Sequence, residues 1–169
     1  MATHLFKAED LPAIHQILIS NHWDYFLDPV IDEHGLAIRD EAYFSNEKNH
    51  TLVYTDEAGK ILGFIHFDNV KNSVGEAPSF TLCVDKDARG KGVGVTLLKD
   101  GIKYIFDHFD KIRRIYATTR ADNSAMQKTF EALGFRQEAR HIKEWEDRQT
   151  GTFVDTLGYG LLREEFKAI

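Results

Sequence analysis

The sequence predicts an α+β fold: a mixed, mostly antiparallel central sheet of about six to seven strands flanked by about four helices, in one domain over residues 1–169. Three observations predict it. Apolar residues recur with helical spacing in four segments, β-rich runs recur between them, and two pairs of those runs are joined by short glycine-bearing turns. The composition agrees, since 43% hydrophobic and 28% charged residues with only three prolines leave no room for a long disordered tract. A chain of 169 residues buries about 70% of its unfolded surface around one core, so no disulfide staple is required.

The first helix is expected over residues 11–21, where Leu11, Ile14, Ile17 and Leu18 share a face and Pro12 occupies the tolerant first turn. An aromatic loop follows, Trp23-Asp24-Tyr25-Phe26-Leu27-Asp28-Pro29, suited either to covering the core or to lining an acceptor pocket. A second helix is expected over residues 35–46, carrying Leu36, Ile38, Tyr43 and Phe44. Residues 51–55 and 61–67 flank the turn Asp56-Glu57-Ala58-Gly59-Lys60 and read as a hairpin. The second strand of that hairpin is apolar on both faces except at His66, so it should be central and covered on each side. A lone histidine there is either a base or a hydrogen-bonded core residue.

Residues 80–84 form the strand that feeds the most informative stretch, residues 84–98. There Gly90, Gly92 and Gly94 alternate around Lys91, directly after Arg89. Glycine lets the backbone come close to a ligand with φ > 0, so successive N–H groups can face one concavity. Leu97, Leu98, Gly101, Ile102, Ile105 and Phe106 then repeat at i, i+3, i+4, i+7, so the loop opens an amphipathic helix. A helix N-terminus with unpaired N–H donors beside two cations is an anion site, and phosphate is its natural guest. The Walker spacing is absent, and G-x-G-x-G is out of register with the dinucleotide pattern, which argues against a kinase or nucleotide-dependent redox domain.

Past that helix, residues 112–119 read as another strand, and strand, helix, strand suggests a right-handed parallel crossover. Residues 122–135 carry cap signals at both ends. Ser124 and Gln127 fit a capping box, Asn123 is a competing N-cap, Met126, Phe130 and Leu133 form one face, and Gly134 ends the helix. Residues 135–146 and 152–162 around Asp147-Arg148-Gln149-Thr150-Gly151 form a long hairpin.

Charge and special residues bound the function classes. A net charge of −6, from 21 basic and 27 acidic side chains, disfavours a nucleic-acid surface and tolerates a cationic acceptor. The single cysteine, Cys83, excludes an intramolecular disulfide, and the eight histidines show no metal-ligand spacing. No apolar run reaches the length of a membrane span and the first ten residues lack a signal-peptide core, so a soluble cytoplasmic protein with no membrane or nucleic-acid partner is expected.

Two of these stretches carry a resemblance. R-x-x-G-x-G at Arg89, Gly92 and Gly94, after Val84 and before Leu97-Leu98, together with Asn123, Ala125 and Leu133-Gly134-Phe135, resembles the GNAT N-acetyltransferase superfamily. The C-terminal stretch 155–166 is similar to the branch that includes ribosomal-protein N-terminal, polyamine and aminoglycoside acetyltransferases. The resemblance implies acetyl-CoA as co-substrate and a primary amine acceptor, on a small molecule or a peptide N-terminus. It implies that the backbone of Leu82, Cys83 and Val84 pairs with the pantetheine arm, that Arg89, Gly90, Lys91, Gly92, Val93 and Gly94 meet the pyrophosphate, and that Asn123 and Phe130 contact the cofactor beyond. It also implies a catalytic glutamate upstream of the central strand, which places the base at Glu76. At Phe130 the sequence departs from the superfamily, where a tyrosine commonly protonates the departing thiolate. Tyr159, a water, or unassisted departure of a thiol with pKa near ~8.5 are the alternatives. A non-catalytic acyl-CoA sensor or scaffold is the competing function, and a homodimer through the C-terminal hairpin is the expected assembly.

Overall fold

The chain begins in a strand that the sequence pattern did not disclose. The structure is a computed structural model in which residues 2–27, 29–70 and 78–166 are described. β1 (Ala2–Leu5) pairs antiparallel with β2 (His50–Thr55), Ala2 facing Thr55 and Leu5 facing Leu52. Four residues are too few to establish a period of two, which is why periodicity alone missed it.

α1 (Leu11–Ser20) has proline in its first turn and buries Ile14, Ile17 and Leu18, as its spacing predicts. The expected helix over residues 35–46 is instead two short ones, α2 (Glu33–Ala37) and α3 (Glu41–Phe44). Asp40 is the reason. Its extended backbone and its carboxylate, which accepts from Tyr43 N, begin a new helix where the old one would have continued.

β2 and β3 (Ile61–Phe67) form the expected hairpin, and β4 (Phe80–Val84) completes a sheet of order β1-β2-β3-β4 with every pairing antiparallel. β3 is interior and buried along most of its length. Alternation divides the side chains between two cores. Leu52, Tyr54, Ile65 and Phe67 face α4 (Val93–His108), whereas Val53, Phe64 and Cys83 face α1 and the aromatic loop. On the first of these faces α4 lies so close that a Cβ at Gly101 would stand 2.8 Å from the Phe67 ring.

β5 (Arg114–Arg120), β6 (Arg136–Asp147) and β7 (Thr152–Leu162) form a second antiparallel sheet of order β5-β7-β6. α5 (Ser124–Ala132) connects β5 to β6, with Asn123 rather than Ser124 as its N-cap. The crossover from β4 through α4 to β5 therefore leads from one sheet to another. Tyr116 N donates to Pro78 O, and beyond that bond no ladder joins β4 to β5 among the described residues. The sheets part, and the opening lies between the C-terminal end of β4 and the start of α5. Among the described residues no helix is long and apolar enough to cross a membrane, and no group of three or more metal-ligating side chains gathers.

Candidate functional site

Because β4 is the last strand of its sheet, one edge of its backbone faces the opening. Asp85 N donates to Leu62 O, and Val84 stands opposite Gly63, which fixes the alternation. The backbone groups of Thr81 and Cys83 face β3, and those of Leu82 and Val84 face the free edge. Exposed edges of this kind are templates for strand addition unless something covers them. Arg89 Nε takes the Val84 carbonyl at 3.1 Å. The groups of Leu82 and the N–H of Val84 are left toward the cleft.

The glycine loop sits at the end of that edge. Gly90 (φ 74°) and Gly92 (φ 83°) are left-handed, and Gly92 is the N-cap of α4 with no side chain to satisfy the first turn. The first helical bond is Thr96 N to Gly92 O, so the N–H groups of Val93, Gly94 and Val95 have no intrahelical acceptor. No acidic residue stands in that turn. Open donors, the positive end of a 16-residue helix and the Arg89 guanidinium 5.2 Å above the Trp23 ring make the loop an anion site.

A cavity of about 420 Å³ runs from this loop along the β4 edge. Leu82, Val84, Arg89, Gly90, Gly92 and Gly94 line it on one side, and Asn123 with Ala125, Met126 and Thr129 of α5 on the other. Asn123 is held by two bonds, its Nδ2 donating to Thr119 Oγ1 and its Oδ1 accepting from Met126 N. The structure thus brings seven of the expected cofactor residues to one cavity. The side chains of four others do not line it. Lys91 donates its Nζ to Asp87 O, and Val93 points its side chain into the core. Cys83, by strand alternation, turns its backbone toward β3 and its side chain away from this cavity. Phe130 is 1% exposed, packed against Phe80, Phe135 and Tyr159 because α5 must bury its apolar face. Glu76 lies outside the described residues.

A second cavity, of about 230 Å³, opens on the opposite face of β4. Thr81 and Cys83 form its floor, so one strand walls both cavities with alternate side chains. Tyr25 and Phe26 line both, which places the aromatic loop at their junction and gives it a pocket role besides covering the core. Arg120, 7% exposed, holds that loop: its guanidinium pairs with Asp122 and Asp147, donates to Asp24 O, and lies 5.7 Å from the Tyr25 ring. These bonds hold the Asp122 and Asp147 carboxyls below the usual carboxylate range.

His66, Arg39, Tyr43 and Trp145 complete the second cavity. His66 is fully buried, stacked on Tyr43, with Nδ1 against Thr51 Oγ1 at 2.8 Å and Nε2 against Asp68 at 3.0 Å. Both ring nitrogens are engaged, so His66 is a hydrogen-bonded core histidine. Burial pushes the Cys83 thiol far above its usual pKa, which denies it the thiolate form of a nucleophile. Burial, reinforced by Asp68, also raises the Tyr43 hydroxyl. Tyr159, one alternative for the missing acid, is buried with a raised pKa and lines neither cavity.

Trp145 reaches this cavity through a bulge. His141 faces Thr156 and Trp145 faces Val154, so three residues of β6 oppose Asp155 alone. The Asp155 carboxylate accepts from Lys143 N and from Arg140, and Lys143 takes φ 51° to allow it. The sequence sign of this residue was a single indole in the charged run Lys143-Glu144-Trp145-Glu146-Asp147. Arg39 had no comparable sign.

An open edge strand beside a glycine-capped helix N-terminus, at the parting of two sheets, leaves an anion-suited cleft with an aromatic pocket behind it. Residues 15–135 match the Acetyltransferase (GNAT) family, and the chain belongs to it. Mycothiol acetyltransferases are similar to it: that of Mycobacterium sp. (strain JLS) is 32% identical over 100 residues, covering 57% of this chain and 32% of the relative. That of Salinispora tropica is 31% identical over 109 residues, covering 63% and 34%. The chain thus spans about a third of the length of these curated relatives. Among solved structures, spermidine N-acetyltransferase from Vibrio cholerae in complex with CoA and spermine superposes with a TM-score of 0.82 at 19% identity, covering 97% of this chain and 96% of that one. Ribosomal-protein-alanine N-acetyltransferase from Brucella melitensis gives 0.81 at 20% identity, covering 96% and 99%. These likenesses establish the fold.

Proposed function

We propose that this chain is an N-acetyltransferase that moves the acetyl group of acetyl-CoA directly to a primary amine on a small molecule or a peptide N-terminus. The observation that carries the reading is the double role of β4, whose edge and one face serve an anion-suited cleft while its other face floors an aromatic pocket. Acetyl-CoA supplies the acetyl thioester. The open N–H groups of α4 and the Arg89 guanidinium suit its pyrophosphate, and the free edge at Leu82 and Val84 suits the amides of its pantetheine arm.

The chain's own residues favour direct transfer. Cys83, the thiol at the pocket floor, is held neutral by burial, so an acyl-cysteine step has no thiolate to begin it. The acceptor ammonium must lose a proton before attack, and Glu76 is our candidate for that base; Glu76→Gln should lower kcat by roughly 10² with acetyl-CoA affinity unchanged. Unaltered turnover would remove Glu76 from the mechanism. With Phe130 buried and protonless at the common acid position, the thiolate leaves as an anion or takes its proton from water.

The test is release of free thiol from acetyl-CoA against a panel of amino acids, peptides, polyamines and aminoglycosides. Turnover with at least one amine is expected. Tight acetyl-CoA binding without thiol release from any acceptor would instead make the chain a sensor or scaffold. We further propose a cytoplasmic location, supported by the free buried thiol of Cys83, and a homodimer through β6 and β7, where Ile142 and Phe153 are 69% and 58% exposed. A monomeric mass by light scattering at micromolar concentration would sink the dimer.

A further inference from the structure

The acceptor pocket carries a charge pattern of its own. Among the described residues that line it there is no aspartate or glutamate, and Arg39 is its one arginine or lysine. That arginine is built in. Its N donates to Leu36 O at 2.9 Å, its carbonyl takes His15 Nε2 at 2.7 Å, and its Nη1 donates to Gly35 O at 2.6 Å. The guanidinium lies over the Tyr43 ring, 6.0 Å from its centroid, and its positive field reaches the Cys83 thiol at the floor.

What Arg39 lacks is a carboxylate: no aspartate or glutamate among the described residues pairs with it. Arg120, which holds the aromatic loop, is by contrast matched by Asp122 and Asp147. A half-buried guanidinium beside aromatic walls, with the Gly35 carbonyl and the Tyr43 hydroxyl as its partners for five donors, is under-satisfied, and a bidentate anion is what its fork fits. The remaining walls, Tyr25, Phe26, Leu27, Ile31 and Trp145, are aromatic or aliphatic. A volume of about 230 Å³ is below the roughly 300–1,000 Å³ usual for drug-sized ligands, so the acceptor part that enters is small.

We infer that Arg39 reads a carboxylate on the acceptor, so that the substrate is a small α-amino acid or similar amino carboxylate with an apolar or aromatic body, not a polyamine. This rests on the acetyltransferase reading of the same pocket. It reverses the expectation from net charge, because −6 over the whole molecule says nothing of the sign inside one cavity. A polyamine would set two or more positive charges against Arg39 with no carboxylate among the described lining residues to receive them. An amino carboxylate brings its amine to the β4 side and its anion to Arg39, in the link between α2 and α3.

The experiment compares kcat/KM for phenylalanine and leucine, for phenylethylamine and isoamylamine, which lack only the carboxylate, and for spermidine. It is run on the wild type, Arg39→Lys and Arg39→Gln. The amino acids are expected to lead their decarboxylated partners by about 10²-fold, with spermidine lowest. Arg39→Gln should collapse that lead to a few-fold by raising amino-acid KM, Arg39→Lys should keep part of it, and KM for acetyl-CoA should stay the same in all three. A lead that survives Arg39→Gln, or an equal or better rate with spermidine or the plain amines, overturns the assignment while leaving the acetyltransferase standing. Absence of thiol release with every amine would remove both together.

Discussion

The two cavities that share β4 are built in opposite ways. The cofactor cleft is made of backbone: a free strand edge at Leu82 and Val84, left-handed glycines at 90 and 92, and the open first turn of α4. The pocket proposed for the acceptor is made of side chains drawn from α1, the link between α2 and α3, α3, three strands and the loop before α2. Backbone recognition asks only for a local pattern of small residues, so it can be kept while the acceptor side is rebuilt. On the proposed reading the first cavity takes the donor through its backbone and the second takes the amine through side chains particular to this chain.

The largest effect is expected from placing a charge in the backbone site. Gly92→Asp puts a carboxylate among the open N–H groups that suit phosphate. A Cβ there meets nothing within 4 Å, so the fold survives with only the cost of φ 83° in a non-glycine residue, about 1 kcal/mol. Acetyl-CoA at 100 times its Kd should stabilise the wild type by about 2.7 kcal/mol and the variant not at all. A full thermal shift in Gly92→Asp would mean that the phosphates bind elsewhere.

That asymmetry also decides what was legible in the sequence. Arg89, Gly92 and Gly94, then Asn123 to Phe135, sit in continuous stretches whose spacing encodes a loop and a cap, and the α+β class with its helices and hairpins followed from periodicity. Arg39, Trp145 and the split of α2 from α3 did not. Arg39 is one cation among 21 basic residues, and only the fold brings it beside Cys83, 44 positions later in the chain, since a side-chain pocket leaves no local period to read. β1 was missed because its length is below any period. The parallel crossover was misjudged at β4 and β5 because the parting of the sheets is a tertiary event.

Arg120 is where the two regions cease to be independent, for it holds the aromatic loop that lines both cavities. Arg120→Ala leaves Asp122 and Asp147 without their partner, and we expect about 2 kcal/mol of lost stability by chemical denaturation, since both carboxylates keep some contact with water. Michaelis constants for acetyl-CoA and for the amine should rise together. A rise in one alone would show that the loop serves only that cavity.

Asp155→Ala tests the acceptor side separately. With its bonds to Lys143 N and Arg140 gone, the bulge that delivers Trp145 loses its clamp. Amine KM should rise about tenfold and acetyl-CoA KM should not change, a shift of ~1.4 kcal/mol confined to one substrate. Equal effects on both constants would mean that the bulge supports the sheet, not the pocket.

The smallest effect, and the most discriminating, is that of acid. Bonds from Arg120 and from the loop amides at 149 and 150 hold Asp147 below the usual carboxylate range, and bonds from Lys143 N and Arg140 do the same for Asp155. In the unfolded chain these carboxyls titrate near the ordinary ~3.9, so the unfolded state binds more protons in the interval between the two values. Their contribution to stability is therefore complete above about pH 4 and is lost as pH falls through the folded values. The glycine loop rests on backbone N–H groups that do not titrate. Lowering the pH from 5 toward 3 should move the Trp145 indole resonance before amide protection in α4 declines. Simultaneous loss of both would mean that the two cavities melt as one unit and that the acceptor wall has no separate acid-sensitive clamp.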